Sequence, residues 1–220
     1  MDATEQQRRR NRMVLLMIAG IPLMVVLAST WLWYFVVRGD LDLVGVLGTA
    51  NKGKLVQPPR RLDTVALARE DGGPFQFAAA EPQWTMLVPL AGGRCGQICE
   101  HSLYLTRQIH VAMGKEFNRL RRYYVGDVPV ADTELTVQTL SDGGPAPASF
   151  ADFVSTEHRG LEALMIDRED FGVLFAEHSS APDTWYLVDP AGWIMMSYTG
   201  DTSYRDVMAD LKFLLKNSSE

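Results

Sequence analysis

At 220 residues the chain is long enough for one domain and an additional element. Its hydrophobic fraction of 47% is ordinary for a soluble protein, but the apolar residues are unevenly distributed. The formal charge of −6 argues against nucleic acid as a partner, and no second cysteine pair or histidine cluster has the spacing of a zinc site.

The N-terminal part predicts a single membrane span over residues 13–37. This run carries no charge and exceeds the roughly 20 residues needed to cross a bilayer. It is too long for a signal peptide, and its aromatic end resembles an interfacial belt. Four arginines precede the run, so the positive-inside rule predicts a cytoplasmic segment at 1–12. We expect an inner (cytoplasmic) membrane protein whose C-terminal domain lies in the periplasm or another exported compartment. The arginines are Arg8, Arg9, Arg10 and Arg12.

The next segment, residues 38–61, is predicted to be a tether or edge segment, because several glycines and prolines interrupt any long regular element. Leu55-Val56 is expected to form a short strand. The Asp71-Gly72-Gly73 turn then predicts a small hairpin. The folded domain is expected to span residues 62–216.

The apolar run at 84–90 shows almost no alternation, which predicts a central strand covered on both faces. It leads into Cys95 and Cys99, the two cysteines of the chain. If a helix begins just after Cys95, its dipole favours a thiolate; Arg94 acts in the same direction and Glu100 opposes it. Sulfurs four residues apart on a helical turn can meet, so the pair is a disulfide, a redox-active pair or a two-thiolate metal clamp. A purely structural disulfide or two inert thiols is the alternative.

Apolar residues recur at helical spacing from Ile98 to Leu120, and residues 119–122 are predicted to be the basic last turn of this helix. Residues 123–125 are predicted to form a second strand. Strand, helix and strand in this order predict a βαβ unit with parallel pairing.

The remaining elements complete an α/β, thioredoxin-like domain, a central mixed sheet flanked by helices. The C-terminal end gives the sharpest pattern, a β-hairpin followed by a helix that Asp201, Thr202 or Ser203 caps. The other predictions are a helix at 150–156, a strand at 161–165, a helix near 170–176, and hairpin strands at 185–189 and 193–198.

These residues resemble the Sco/SenC proteins, which are membrane-anchored, thioredoxin-fold copper chaperones of cytochrome c oxidase assembly. The resemblance covers residues 72–216. It rests on the C-x-x-x-C motif after a buried strand, on His178-Ser179, and on the Tyr186-Leu187-Val188-Asp189-Pro190 hairpin. It implies that Cys95, Cys99 and His178 bind copper, and that a cytochrome c oxidase subunit or another copper chaperone is the partner. The chain departs from the family at Glu100, where the family usually has proline.

The side-chain chemistry agrees with a copper site, because two thiolates and one imidazole form a soft ligand set that suits Cu(I) in particular. Without the resemblance, His178 would be interpreted as a histidine on a surface loop. His101 is a rival ligand that more simply faces solvent, and His110 and His158 are predicted to be surface residues.

A second hypothesis is a thiol–disulfide oxidoreductase acting on exported proteins or on the cysteines of a copper site, with Cys95 and Cys99 as the redox-active pair. Pro182 occupies the place where thioredoxin-like reductases carry a cis-proline. A third hypothesis is an assembly factor that uses the fold only to bind an oxidase subunit. We expect a metallochaperone rather than an enzyme, and a thiol–disulfide oxidoreductase if the protein is an enzyme.

Overall fold

The N-terminal helix, α1, runs from Ala3 to Val37 without interruption in the computed structural model, which describes residues 3–37 and 51–218. Within Arg8–Phe35, an 18-residue window of this helix has a mean hydropathy of 2.4, and the helix is long and apolar enough to cross a membrane. Pro22 lies inside the helix and does not end it. This confirms a helix that could span a membrane. The predicted tether falls partly on residues 38–50, which lie outside the described residues.

A second unit begins at Asn51 and contains all the β-structure of the described residues. Its strands are β1 (Lys54–Arg61), β2 (Leu67–Arg69), β3 (Pro74–Phe75), β4 (Trp84–Leu90), β5 (Arg94–Cys95), β6 (Leu120–Gly126), β7 (Glu134–Leu135), β8 (Leu161–Ile166), β9 (Trp185–Val188) and β10 (Trp193–Tyr198). Its helices are α2 (Gln97–Ala112), α3 (Phe150–Glu157), α4 (Arg168–Leu174) and α5 (Tyr204–Asn217).

The main sheet has eight strands in the order β1-β10-β9-β4-β6-β8-β2-β3, and β5 pairs with β7 in a separate two-stranded sheet. β4–β6 and β6–β8 are parallel, whereas β4–β9 and β9–β10 are antiparallel. All seven residues of β4 are buried, because β4 lies between β6 and β9 at the centre of the sheet. The predicted βαβ unit, the C-terminal hairpin and the mixed sheet are confirmed.

Two apolar clusters cover opposite faces of this sheet. Alternate strand residues contribute to each, as the period of two requires. Met86 and Tyr124 belong to the first cluster, which also contains both cysteines, whereas Leu87 and Tyr123 belong to the second. The helices therefore flank the sheet on both sides, as in a thioredoxin-like domain.

The predicted end of the long helix is wrong. Helix α2 stops at Ala112, a short 3-10 helix follows at Gly114–Arg119, and Leu120 already begins β6. Gly114 has a φ of +57°, a left-handed conformation that favours glycine and commonly ends a helix. The apolar spacing continued past this glycine because Leu120 is buried in the strand, not in a helix.

The start of the second unit is fixed by Asp210, which is only 4% exposed. Its carboxylate accepts hydrogen bonds from the backbone N–H groups of Lys52 (2.9 Å) and Gly53 (2.8 Å) and from the Tyr198 hydroxyl (3.2 Å). The edge strand β1, which is longer than the predicted Leu55-Val56 strand, pairs with β10 directly afterwards. Residues 51–61 are thus part of the folded unit, which begins before residue 62.

Candidate functional site

The two cysteines bracket the start of α2 at the edge where β4 ends. Cys95 is fully buried in β5 and pairs with Leu135 of β7, and the Thr136 N–H donates to its carbonyl at 3.0 Å. Cys99 is 7% exposed in the first turn of α2, whose N-cap residue is Gly96. The two sulfurs are bonded to each other at 2.02 Å, with Cα atoms 5.1 Å apart. The strand and the helix therefore hold the pair in disulfide geometry.

The charges around this pair differ from the sequence-based expectation. The Arg94 side chain is 73% exposed and pairs with Glu134 at 3.3 Å, so solvent and a carboxylate screen its charge. Glu100 is 2% exposed. Its carboxylate accepts hydrogen bonds from Ser141, from the backbone N–H at 2.9 Å and from the hydroxyl at 2.6 Å. The group that opposes a thiolate is thus buried beside Cys99, whereas the group that favours one is in solvent.

His178 is not on a surface loop. It lies in the short 3-10 helix Ala176–Ser179, is 8% exposed, and its ring contacts Phe171 edge-on at 5.5 Å between centroids. In the part of the chain that the structure describes, its buried Nδ1 atom has no hydrogen-bond partner. Burial lowers the pKa of His178, although a hydrogen bond with the Thr184 backbone and nearby carboxylates act in the opposite direction. The imidazole is therefore neutral near pH 7 and leaves one nitrogen uncommitted, as a metal ligand requires.

The segment that carries His178 is tied to the sheet through the preceding residue, Glu177. The Glu177 carboxylate accepts hydrogen bonds from Arg60 of β1 at 2.5 Å and from the Tyr186 hydroxyl of β9 at 2.9 Å. Two strands consequently hold this segment in place.

Asp127 is a site residue that the sequence analysis missed. Its side chain is 2% exposed, and its Oδ1 atom accepts a hydrogen bond from the Gly92 N–H, in the loop before Cys95, at 2.6 Å. Its charge also raises the pKa of His178. Asp127 directly follows β6, and the carboxyl ends of parallel strands are where α/β sheets bind ligands, so this position was the available signal.

The structure brings together some of the predicted ligands but not all. Cys95 and Cys99 are joined to each other, and both pack in the first apolar cluster. Phe171, which the His178 ring contacts, belongs to the second cluster. Within residues 3–37 and 51–218, no three His, Cys, Asp or Glu residues are grouped closely enough to hold a metal ion. A three-ligand copper clamp thus needs reduction of the disulfide and closer approach of His178.

The other histidines occupy different environments. His101 is exposed, as predicted, and its Nδ1 atom lies 3.1 Å from the Ser141 hydroxyl. The prediction that His110 and His158 are surface residues is wrong, because they are 7% and 1% exposed. His110 stacks on the Phe117 ring at 3.9 Å, and His158 packs edge-on against Phe153 at 4.5 Å. For His110 the apolar neighbours Ile109 and Val111 were an available signal of this burial.

The cis-proline expected for an oxidoreductase is absent at Pro182. Among the described residues, the only cis peptide bond is Gln57–Pro58, at the edge strand β1. The feature of Pro182 on which the second hypothesis relied is therefore not found.

Comparisons with known proteins agree with this fold. The solved structure "Crystal Structure of Yeast Sco1" superposes with a TM-score of 0.52 at 14% identity, covering 71% of this chain and 94% of that chain. "Crystal Structure of Yeast Sco1 with Copper Bound" gives a TM-score of 0.52 at 13% identity, covering 78% and 97%. No curated protein sequence matches the chain. The likeness confirms the expected resemblance to Sco proteins at the level of the fold.

The sequence itself matches one protein family over more than half of its length. The matched residues are 84–142 and 136–218, which include the central strand, both cysteines, His178 and the closing helix. The chain therefore belongs to the family described as transmembrane-like, thioredoxin-like, C-terminal domain.

Proposed function

We propose that this protein is a membrane-anchored copper-binding chaperone for cytochrome c oxidase assembly, with its C-terminal domain in the periplasm. The observation that carries the proposal is the Cys95–Cys99 pair, held by β5 and the first turn of α2 at the carboxyl edge of the parallel strands. A copper-bound structure is known for yeast Sco1, whose fold this chain shares. The partner that the proposal implies is a cytochrome c oxidase subunit or another copper chaperone.

Copper is the cargo, and it binds after the disulfide is opened. A dithiol reductant supplies two electrons and two protons, the S–S bond breaks, and two thiols form while the reductant becomes a disulfide. Cu(I) then displaces both thiol protons, because the thiolate is the metal ligand. His178 supplies the third ligand through a neutral imidazole whose Nδ1 atom is uncommitted.

The decisive experiment is Cu(I) binding by the reduced full chain in detergent, with competing zinc present. We expect one Cu(I) per chain in the wild type. Cys95→Ser and Cys99→Ser should abolish tight binding, since one thiolate and one imidazole make a much poorer soft site. His178→Ala should weaken the affinity and impair oxidase maturation while the disulfide still forms. The matched control is His101→Ala, which removes an exposed imidazole one turn from the cysteines and should leave the affinity unchanged.

Full copper retention in either cysteine variant would refute the proposed site. Normal oxidase maturation by a Cys95→Ser, Cys99→Ser double variant would instead favour the assembly factor that uses only the fold.

A thiol–disulfide oxidoreductase remains the second candidate, and the specific observation that favours it is the disulfide itself. In that function the cysteines alone carry the reaction. Disulfide exchange at wild-type rate in His178→Ala, together with unchanged copper affinity in that variant, would favour it over the chaperone. A Pro182→Ala variant measures whether this position contributes to exchange as a trans residue.

A further inference from the structure

Three arginines near the starts of β6 and β8 have no acidic partner among the described residues. They are Arg121 and Arg122 of β6, and Arg159 in the turn before β8. Within residues 51–218, none of the three forms an ion pair with a carboxylate within 4.0 Å. The ion pairs in this part of the chain are formed by other arginines and by a lysine. The chain has 27 acidic residues and a net charge of −6, so acidic partners are abundant elsewhere. Of this cluster only Arg122 is a buried residue, whereas Arg159 is exposed. A buried cation without a partner costs several kcal/mol.

Arg122 is the most costly member of the cluster. It is 2% exposed, and in the described part of the chain its Nε and Nη1 atoms are buried without hydrogen-bond partners. Burial, together with the charge of Arg107, lowers the pKa of Arg122 to about 10. The neighbouring His158 is 1% exposed, and both of its ring nitrogens lack partners. Arg107 forms ion pairs with Asp142 and Glu157, so among the described residues Arg122 is the buried cation here that no carboxylate neutralises.

A solvent-open cleft of about 400 Å³ lies next to these groups, at the N-terminal ends of β4, β6 and β8. Leu120 and Arg121, which are consecutive and so lie on opposite faces of β6, both line the cleft, whereas Arg122 is buried behind Leu120 and is not part of the lining. The positive charge of Arg122 also lowers the pKa of His110, another lining residue, after the larger effect of burial. The polar side chains of the lining are those of Glu81, Gln83, His110, Asn118, Arg121 and Arg159.

The lining has the composition of an anion site. It contributes two arginines against one carboxylate, that of Glu81. The Nη1 atom of Arg121 donates to the Tyr123 hydroxyl at 3.1 Å, and its Nε and Nη2 atoms are buried without a partner among the described residues. The stacked rings of His110 and Phe117 add a flat apolar wall. A volume of this size accommodates an organic molecule as well as an inorganic ion.

We propose that this cleft binds a small anion that carries a phosphate or carboxylate group. The exposed guanidinium group of Arg159 matches the planar geometry of these groups, and the charges of Arg121 and of the buried Arg122 add attraction through the protein interior. The bound charge offsets the cost of burying Arg122 without a partner.

This site is separate from the cysteine pair, and the proposal does not depend on copper binding. The cleft lies at the Leu120 end of β6, whereas Asp127 and the cysteine loop lie past the Gly126 end. Seven strand residues separate the two ends by roughly 20 Å.

The test is calorimetric titration of the full chain in detergent with inorganic phosphate and, separately, malonate, at constant ionic strength set with chloride. We expect saturable binding of at least one probe and a saturable rise in Tm, since a ligand that binds the folded state stabilises it. Arg159→Gln and Arg122→Met should each weaken the affinity at least tenfold. The probe that binds identifies the group, phosphate or carboxylate. The matched control is Arg168→Gln, which removes an exposed arginine at the opposite end of β6 and should bind as the wild type does.

The Arg122→Met variant also tests whether a loss of anion affinity results from misfolding. Replacing an unpaired buried charge by an apolar side chain of similar length should maintain or raise the Tm of the anion-free protein. The proposal is overturned if neither probe binds saturably. It is equally overturned if the wild type, Arg122→Met and Arg159→Gln respond identically, because excluded salts stabilise any folded protein in that way.

Discussion

At the scale of single residues, the buried histidines carry the clearest consequences. His158 contacts the Phe153 ring and lies close enough to Arg122 and Arg107 to be affected by their charges. Burial, followed by these two positive charges, lowers its pKa to about 3. A neutral imidazole can remain in this place, but an imidazolium cannot remain there without an acceptor.

We therefore predict that His158 makes the folded state sensitive to acid. The unfolded chain binds this proton near pH 6.5 and the folded chain only near pH 3, so the stabilisation is complete above about pH 6.5 and is lost as the pH falls through this window. Each pH unit within this window lowers the free energy of unfolding by at most about 1.4 kcal/mol. Between pH 6.5 and pH 4.5 the wild type should therefore lose on the order of 2 kcal/mol of this free energy. Urea unfolding of wild type and His158→Phe at several pH values measures the difference. Parallel pH profiles would contradict the prediction.

Glu100 places a buried carboxylate directly after the C-x-x-x-C motif. It directly follows Cys99, and both of its oxygens are occupied by Ser141, at 2.9 and 2.6 Å. The resemblance to Sco/SenC proteins leads one to expect proline here, and proline could not supply this carboxylate.

We predict that Glu100→Ala lowers the free energy of unfolding by about 1–3 kcal/mol, because the Ser141 N–H loses its buried acceptor. Ser141→Ala removes the hydroxyl but keeps the backbone bond, so it should cost less than Glu100→Ala. Chemical denaturation of the oxidised protein checks both values. Equal effects of the two substitutions would show that the backbone bond contributes little.

At the scale of elements, the junction between β1 and α5 determines where the folded unit begins. Asp210 of α5 accepts hydrogen bonds from the backbone N–H groups of Lys52 and Gly53, just before β1 starts. It also accepts one from the Tyr198 hydroxyl of β10. A Cβ at Gly53 would lie 2.5 Å from the Tyr198 ring, so glycine permits this close approach. A helix, two strands and the entry of the chain thus meet at one carboxylate.

Asp210→Ala should therefore destabilise the folded unit by about 2–4 kcal/mol, since it leaves buried donors without an acceptor. Tyr198→Phe removes only one of these bonds and should cost about 1 kcal/mol. Hydrogen exchange measures where the effect occurs, and we expect the β1 amides to lose protection first in Asp210→Ala. Loss of protection spread evenly over the sheet would contradict a local role for this junction.

At the scale of the whole molecule, the two units differ in composition. Helix α1 contains an 18-residue window with a mean hydropathy of 2.4, whereas the unit that begins at Asn51 contains a buried mixed sheet. Such a helix is long and apolar enough to span a membrane, and the positive-inside rule relates the orientation of a span to the charges that flank it.

We predict that a reporter enzyme that is active only outside the cytoplasm is active when fused after Glu220. Replacing the four N-terminal arginines by glutamates should weaken this orientation, because they supply the positive-inside signal. The matched control replaces four arginines of the second unit, which lie outside the flanking segment. Reporter activity confined to the cytoplasmic side would refute the proposed periplasmic location. The N-terminal arginines are Arg8, Arg9, Arg10 and Arg12.

The sequence by itself determined the features that depend on local pattern. A run of apolar residues is enough to indicate a membrane-spanning helix, and the uninterrupted run at β4 is enough to indicate a central strand. The order of β4, α2 and β6 implied parallel pairing, and the position of Cys95 and Cys99 around the start of α2 followed from their spacing. These properties reside in neighbours along the chain.

Only the tertiary structure decided the features that depend on contacts between distant residues. The sequence around His178 and His158 does not distinguish them from surface histidines. Their burial is set by helices and strands that pack over them. Asp127 and Gly92 are 35 residues apart in sequence, and they form a hydrogen bond because β4 and β6 end side by side. Arg122 is buried without an acid because strand alternation directs it inwards, whatever its charge. Burial and pairing are properties of the packed molecule, and hydrophobic periodicity does not encode them for polar side chains.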